Sequence, residues 1–247
     1  GIGDMLQGML DSGLEFPEYQ IDHVANFAYG NMIFITYQPV PEMHGVFKRF
    51  AKVFEQTYTR FLDLQKAEAQ ARESQIQLAL ERVRAKTMAM QQSKELVETS
   101  ELLFEQIKDL GIEVWSCGYS LWYDDDSYFI GYNPMPNGKM GPTFKIPLTE
   151  DIFFKTIRKA KRGGKEFLVF ESKGKSLEKT YQYMDTLPVV GEAMREIVES
   201  GFELPKFQVT HCGFFTHGHL MFITHKHYPE AHDIFKRFTK EFEQTYT

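Results

Sequence analysis

Hydrophobic positions change period along the chain, and the changes mark out its elements. In 96–110 (LVETSELLFEQIKDL) apolar side chains recur three and four apart, which predicts an amphipathic helix closed by Gly111. Glu113–Tyr123 (EVWSCGYSLWY) reads as an aromatic-rich strand. Asp124–Asp126 then forms an acidic turn and Ser127–Tyr132 the hairpin partner. Pro134, Pro136 and Gly138 mark a loop, and Phe144–Pro147 a short strand. Thr149 is the expected N-cap of the next helix, with Lys159–Arg162 in its last turn, where cations suit the helix dipole. Glu166–Phe170 reads as a strand, and Leu177–Ser200 as one or two helices interrupted near Pro188. Lys206–Thr216 and Leu220–His227 form strands joined by a tight turn at Gly218. Pro229 opens the last helix at a position proline tolerates. The expected class is α+β: a mainly antiparallel sheet with helices on its faces, joined to a long coiled-coil-like helix.

That organisation is doubled. Gly3–Thr59 aligns without a gap on Gly191–Thr247 at an offset of 188, with about 25 of the 57 pairs identical. The clearest stretch is VFKRFAKVFEQTYT (46–59) against IFKRFTKEFEQTYT (234–247). A period of this length is too long for a solenoid unit and suits a domain plus its linker. The expected organisation is the C-terminal part of a first module at 1–59, a helical linker at 60–95 and a complete module at 96–247. Because the chain opens on Gly1 rather than Met, it reads as a piece of a longer protein.

The linker shows neither glycine nor proline between Val46 and Ser93. Leu62, Ala69, Ile76, Val83, Met90 and Val97 fall seven apart. Such a repeat keeps one stripe facing a partner helix. The second zipper position is poor, with Gln65, Arg72, Ala79 and Lys86, and Leu80 only partly substitutes. A dimer seam through Leu62, Ala69, Ile76, Leu80, Val83 and Met90 is the expectation. A solvated spacer helix and packing against the chain's own domains stay open beside it.

The element order over 96–247, the hairpin HCGFFTHGHLMFIT (211–224) and the closing helix carry a resemblance. In the first copy that helix runs straight into RFLDLQKAEAQARESQIQLALERVRAKTMAMQQSKEL (60–96). Together these resemble GAF-like sensory domains with coiled-coil linkers, as in tandem modules of bacterial sensor histidine kinases and nucleotide cyclases. The resemblance implies a non-catalytic input module in two-component-type signalling. GAF domains bind cyclic nucleotides, tetrapyrroles, metabolites or nothing known, so the fold leaves ligand and cofactor unknown. An NKFDE-like string of the cyclic-nucleotide subclass is missing, and neither cysteine matches a bilin-attachment context.

Composition narrows the partners. A net charge of -6 argues against general nucleic-acid affinity. No apolar run approaches the ~20 residues that span a bilayer, and two cysteines make no disulfide framework. A cytoplasmic, reducing setting is expected. The expected partners are a second copy of the chain, met in a dimer or higher oligomer through the linker helices and by exchange of 1–59 into a neighbouring module, and an unidentified small molecule, with no nucleic acid and no membrane.

Candidate ligand-binding residues are Trp115, Cys117, Tyr119, Phe129, Tyr132, Phe144, His211 and Phe215. The aromatic members line either a pocket or an ordinary core. Trp115, Cys117, Tyr119 and Leu121 are expected on one strand face, and Ser116, Gly118 and Ser120 on the other. His211 is repeated as His23, and His232 as His44. The first pair reads as a buried satisfied histidine or a pocket group, the second as a solvated helix face. His217, His219, His225 and His227 lack counterparts in the first copy, where Tyr29, Asn31, Tyr37 and Pro39 stand. A metal site common to both modules is therefore disfavoured, and these four read as surface histidines. No P-loop, GxSxG elbow or HExxH string is present. A purely structural dimerisation array without a ligand stands as the alternative function, and an enzyme of unfamiliar type as a third.

Overall fold

The computed structural model describes residues 1–13, 18–90, 93–123, 125–138 and 140–246. Leu14–Pro17, within the repeat, and Asp124, within the expected acidic turn, lie outside the described residues. The chain divides into two compact units, Gly1–Arg72 and Glu73–Thr247. The first holds α1 (Ile2–Asp11), the hairpin β1 (Ile21–Phe27) and β2 (Gly30–Thr36), and the start of α2 (His44–Met88). The boundary falls inside α2, whose last turns belong to the second unit.

The second unit continues with α3 (Ser93–Asp109), β3 (Val114–Tyr123), β4 (Tyr128–Tyr132), β5 (Phe144–Pro147) and α4 (Ile152–Arg162). It ends with β6 (Phe167–Lys173), α5 (Gly174–Asp185), α6 (Val190–Glu199), β7 (Phe207–Phe215), β8 (Gly218–Thr224) and α7 (His232–Thr245). Six strands form one sheet in the order β5-β4-β3-β8-β7-β6, every neighbouring pair antiparallel. The class is α+β with helices on both faces of the sheet. Asp151, rather than Thr149, caps α4, its carboxylate accepting the Phe153 N–H at 2.8 Å. No helix among the described residues is long and apolar enough to cross a membrane.

Strand alternation sends side chains to two separate cores. On one face Tyr119, Leu121, Leu220 and Phe222 meet α3 through Leu103 and Ile107, and α7 through Phe235, Phe238 and Phe242. On the other face Phe129, Ile146, Cys212 and Met221 meet α4 through Phe153, Phe154 and Ile157, and α6 through Val190 and Met194.

The end of α2 completes the first core. Ile76, Leu80 and Val83 are buried there together with α3 and α7, and Met90 packs against them. At Ile76, Leu80, Val83 and Met90 the stripe expected as a dimer seam therefore packs on the chain's own domain, one of the arrangements left open. A helix that buries one stripe in its own domain shows the same seven-residue apolar spacing as one facing a second chain. Ala69 of that seam is exposed and Leu62 half-buried. The Arg237 guanidinium donates to both Glu73 carboxylate oxygens, at 2.6 and 3.1 Å, and so ties α7 to α2.

The repeat persists in three dimensions. Ile21 pairs with Thr36 as Val209 pairs with Thr224, and Phe27 with Gly30 as Phe215 with Gly218. Phe34 stacks on Phe47 at 4.2 Å between ring centroids, and their counterparts Phe222 and Phe235 stack at 4.1 Å. His23 bonds Thr36 Oγ1 at 2.8 Å, and His211 bonds Thr224 Oγ1 at 3.2 Å. A Cβ on Gly213 would lie 1.9 Å from Thr239 Oγ1, so α7 can seat on β7 only against glycine. In the first unit the same two places hold Ala25 and Ala51, both buried.

The cover differs between the copies. Phe238 and Phe242 are 0% exposed, whereas their counterparts Phe50 and Phe54 are 57% and 45% exposed. Val24, Ile33 and Ile35, on the outer face of the first hairpin, are exposed too. Phe238→Ala is expected to lower the stability of the second unit by about 3–5 kcal/mol, the usual cost of emptying a buried phenylalanine site. Phe50→Ala is expected to leave it unchanged. Urea titration followed by tryptophan fluorescence checks this, because Trp115 and Trp122 both lie in the second unit.

Candidate functional site: an apolar cavity under helices α4 to α6

The second core is not fully filled. A cavity of about 130 Å³ lies between the sheet and the helices α4, α5 and α6. Phe129, Phe144, Ile146, Gln208, Met221 and Ile223 form its floor. Phe153 and Phe154 come from α4, Thr180, Tyr181 and Met184 from α5, and Val190, Ala193, Met194 and Ile197 from α6. The loop residues Asn133–Pro136, Gly141 and Pro142 complete the wall. These helices bring apolar side chains at three- and four-residue spacing, so their inner faces form the roof.

Most polar side chains of the wall are already engaged. Ser116 Oγ donates to the Pro134 carbonyl at 3.1 Å. The Tyr181 hydroxyl donates to Gln208 Oε1 at 3.0 Å, and Gln208 Nε2 to Thr210 Oγ1 at 3.3 Å. Thr180 Oγ1 donates to the capping carboxylate of Asp151 at 3.2 Å. Burial pushes the Tyr181 phenol well above its usual range, so it stays neutral. Asn133 Oδ1 is buried without a partner. Among the described lining residues none is Lys, Arg, Asp, Glu or His.

The eight candidate residues divide between the two faces. Trp115, Phe129 and Phe144 line the cavity. Cys117, Tyr119, Tyr132 and Phe215 belong instead to the core under α3 and α7, and His211 packs on Phe235 of α7. Trp115 leaves the company of Cys117 and Tyr119 because the β3–β8 register shifts between Val114 and Ser116. Such a bulge moves one residue to the opposite face. The contributions of Met135, Phe153, Phe154, Tyr181, Met184, Met194 and Met221 were missed. The apolar spacing of α4 and α6 and the alternation of β8 carried that signal.

Cys117 and Cys212 lie in opposite cores, on strands separated by β8, and burial raises both thiols far above their usual range. Among the described residues no three His, Cys, Asp or Glu side chains come together.

His219 is a correction to its expected surface position, since it is fully buried beside Phe129. Its Nδ1 accepts the Trp122 indole N–H at 2.7 Å, which leaves the ring proton on Nε2, where no partner stands. Burial first, and Lys161 second, pull its pKa down to about 3. His211 is pulled down to about 4 by burial first, then by His232 and His227. His232, half-buried 5.2 Å away, thus belongs to a histidine pair rather than a freely solvated face.

No family model, no curated protein and no solved structure matches this chain.

Both buried histidines predict acid sensitivity. Their folded pKa values lie below the ordinary value of 6.5. Between pH 6.5 and about 4 the unfolded chain therefore binds protons that the folded chain refuses. Stability of the second unit is expected to be fully present above pH 6.5 and to fall as pH drops through that window. His219→Asn, which installs the residue of the first copy, is expected to flatten the decline. Denaturant midpoints measured from pH 7 to pH 4.5 check both.

Proposed function

We propose that residues 93–246 form a non-catalytic, GAF-like sensory input module of a bacterial signal-transduction protein, working in the cytoplasm. A small molecule occupies the cavity, and the change passes to the helices α2, α3 and α7 on the opposite side of the sheet. The all-antiparallel order β5-β4-β3-β8-β7-β6 with a helical layer on each face supports the resemblance.

One observation carries the relay. The cavity floor and the helix-side core are built on the same strands. Met221 lines the cavity, while its neighbours Leu220 and Phe222 lie in the core with α7. Ser116 and Cys117 divide in the same way on β3. Packed interiors transmit displacement because they hold little free space. A strand moved by an occupant therefore changes the seat of Phe235 and, through the shared core, of Ile76, Leu80 and Val83.

The second reading, an oligomerising array, draws on the exposure of Phe50, Phe54, Ile33 and Ile35. Such an apolar surface favours association with another copy. Exchange of 1–59 into a neighbouring module does not relieve it. Each chain carries two C-terminal halves, from α1 to the start of α2 and from α6 to α7, and one set of β3–α5, so one half stays uncovered however they are exchanged. Direct association of first units is the form this reading takes.

Ala193→Phe, which fills the cavity, mimics an occupant without requiring its identity. Hydrogen exchange is expected to change in 232–245 and 73–88 as well as in α4–α6. A change confined to α4–α6 would overturn the relay. Sedimentation velocity is expected to show concentration-dependent association of the wild-type chain, weakened by the double change Phe50→Glu and Phe54→Glu. A wild-type monomer at high concentration would remove the array.

A further inference from the structure

We propose that two copies of the chain associate through an aromatic stripe on the first half of α2, in which Phe50, Phe54, Thr57, Phe61 and Leu64 lie against the same residues of the second copy. The inference rests on the second reading above, association of first units, and names the surface that performs it.

The stripe has the spacing of a helix that faces another helix. Its members step by four, three, four and three residues along α2. Such steps keep the side chains in one line as two helices wind together. All of them are exposed. The line is not the one through Leu62, Ala69, Ile76 and Val83, whose last two members are buried in the core of the second unit. Leu62 follows Phe61 directly and so stands about 100° further round the helix. The next position of the exposed line is Glu68, so the stripe ends before the first unit does at Arg72.

The rings of the stripe are held in place before any partner arrives. Phe27 of the hairpin meets Phe54 edge-on at 5.2 Å, and Tyr29 meets Tyr58 edge-on at 5.4 Å. Tyr58 stacks between Phe54, at 6.0 Å, and Phe61, at 6.3 Å. Side chains already ordered lose little freedom on association.

The line itself selects a second copy as the occupant. In the second unit Tyr119 of β3 packs on Phe242 at 5.1 Å, within the core that α3 shares. A cover of that kind answers for Phe50 and Phe54 alone. Phe61 and Leu64 lie beyond Thr59, where the repeated segment ends, and have no counterpart in α7. A helix beside α2 covers the whole line. The spacing is nearly symmetric about Thr57, so the line complements itself in either direction, as a two-fold contact requires. Val53 and Tyr58, also exposed, widen it at the edges. With about 100 Å² from each half-exposed ring, the stripe offers roughly 500–600 Å² per chain and about 1,100 Å² for the pair. That is the lower end of specific interfaces, so association is weak and depends on concentration.

Sedimentation velocity of the full chain tests the pairing. Phe61→Glu combined with Leu64→Glu is expected to weaken self-association at least about tenfold. The urea midpoint of the second unit is expected to stay unchanged in that variant. Lys66→Glu, which makes the same change of charge on another side of α2, is expected to leave association unchanged. Thr57→Cys treated with a bismaleimide is expected to give a covalent dimer, and Lys66→Cys is not. Cys117 and Cys212 are buried and do not compete for the reagent. A wild-type chain that stays monomeric overturns the pairing together with the reading beneath it, and leaves the stripe to a different protein. Association that survives Phe61→Glu with Leu64→Glu but is lost in Ile33→Lys with Ile35→Lys overturns the stripe alone, because the copies then meet through the hairpin. Equal cross-linking at positions 57 and 66 overturns the stripe as well.

Discussion

The stacking of Phe222 on Phe235 fixes the closing helix to the hairpin before it, and the rest of the second unit is arranged around that pair. Once α7 is seated, its other face presents Phe238 and Phe242, which need a cover. Helix α3, strand β3 and the end of α2 supply it. The opposite side of the same hairpin presents Cys212, Met221 and Ile223, which call for a second cover, supplied by α4 and α6. Two unlike layers thus meet on one two-stranded element. The first unit has the same stacked pair, Phe34 on Phe47, but there Phe50, Phe54, Ile33 and Ile35 stay exposed.

The two layers differ in how well they fill their space. The helix-side core is dense with phenylalanine and is held at its rim by Arg237 and Glu73. The other side retains a cavity of about 130 Å³. Filling that space with larger side chains was chemically open to the sequence, since Ala193 and Val190 stand on its border. Methionines, which adapt their shape, border the space that the proposed input module would use for its ligand.

Much of the fold was legible because the repeat could be read residue by residue. His23 and His211, or Phe34 and Phe222, occupy matched places in matched hairpins. The linker was harder. Ile76, Leu80 and Val83 announce an apolar stripe, but spacing carries no label for the surface the stripe meets. The cavity was half legible. Trp115 changes face through a register shift that alternation alone does not reveal. His219 looked like a turn residue exposed to water, whereas the Trp122 indole holds it inside. Both misreadings arise from tertiary contacts overriding a local period.

The Gly213–Thr239 and Ala25–Ala51 pairs bear on how a chain with two related hairpin-and-helix segments avoids self-confusion during folding. Tandem homologues are prone to wrong docking between copies. Here each strand has a tailored complement. Ala51 set opposite Gly213 would leave a void, and Thr239 set opposite Ala25 would collide with its methyl group. Sequence drift has thereby made the two interfaces unequal in volume, which favours each closing helix on its own hairpin.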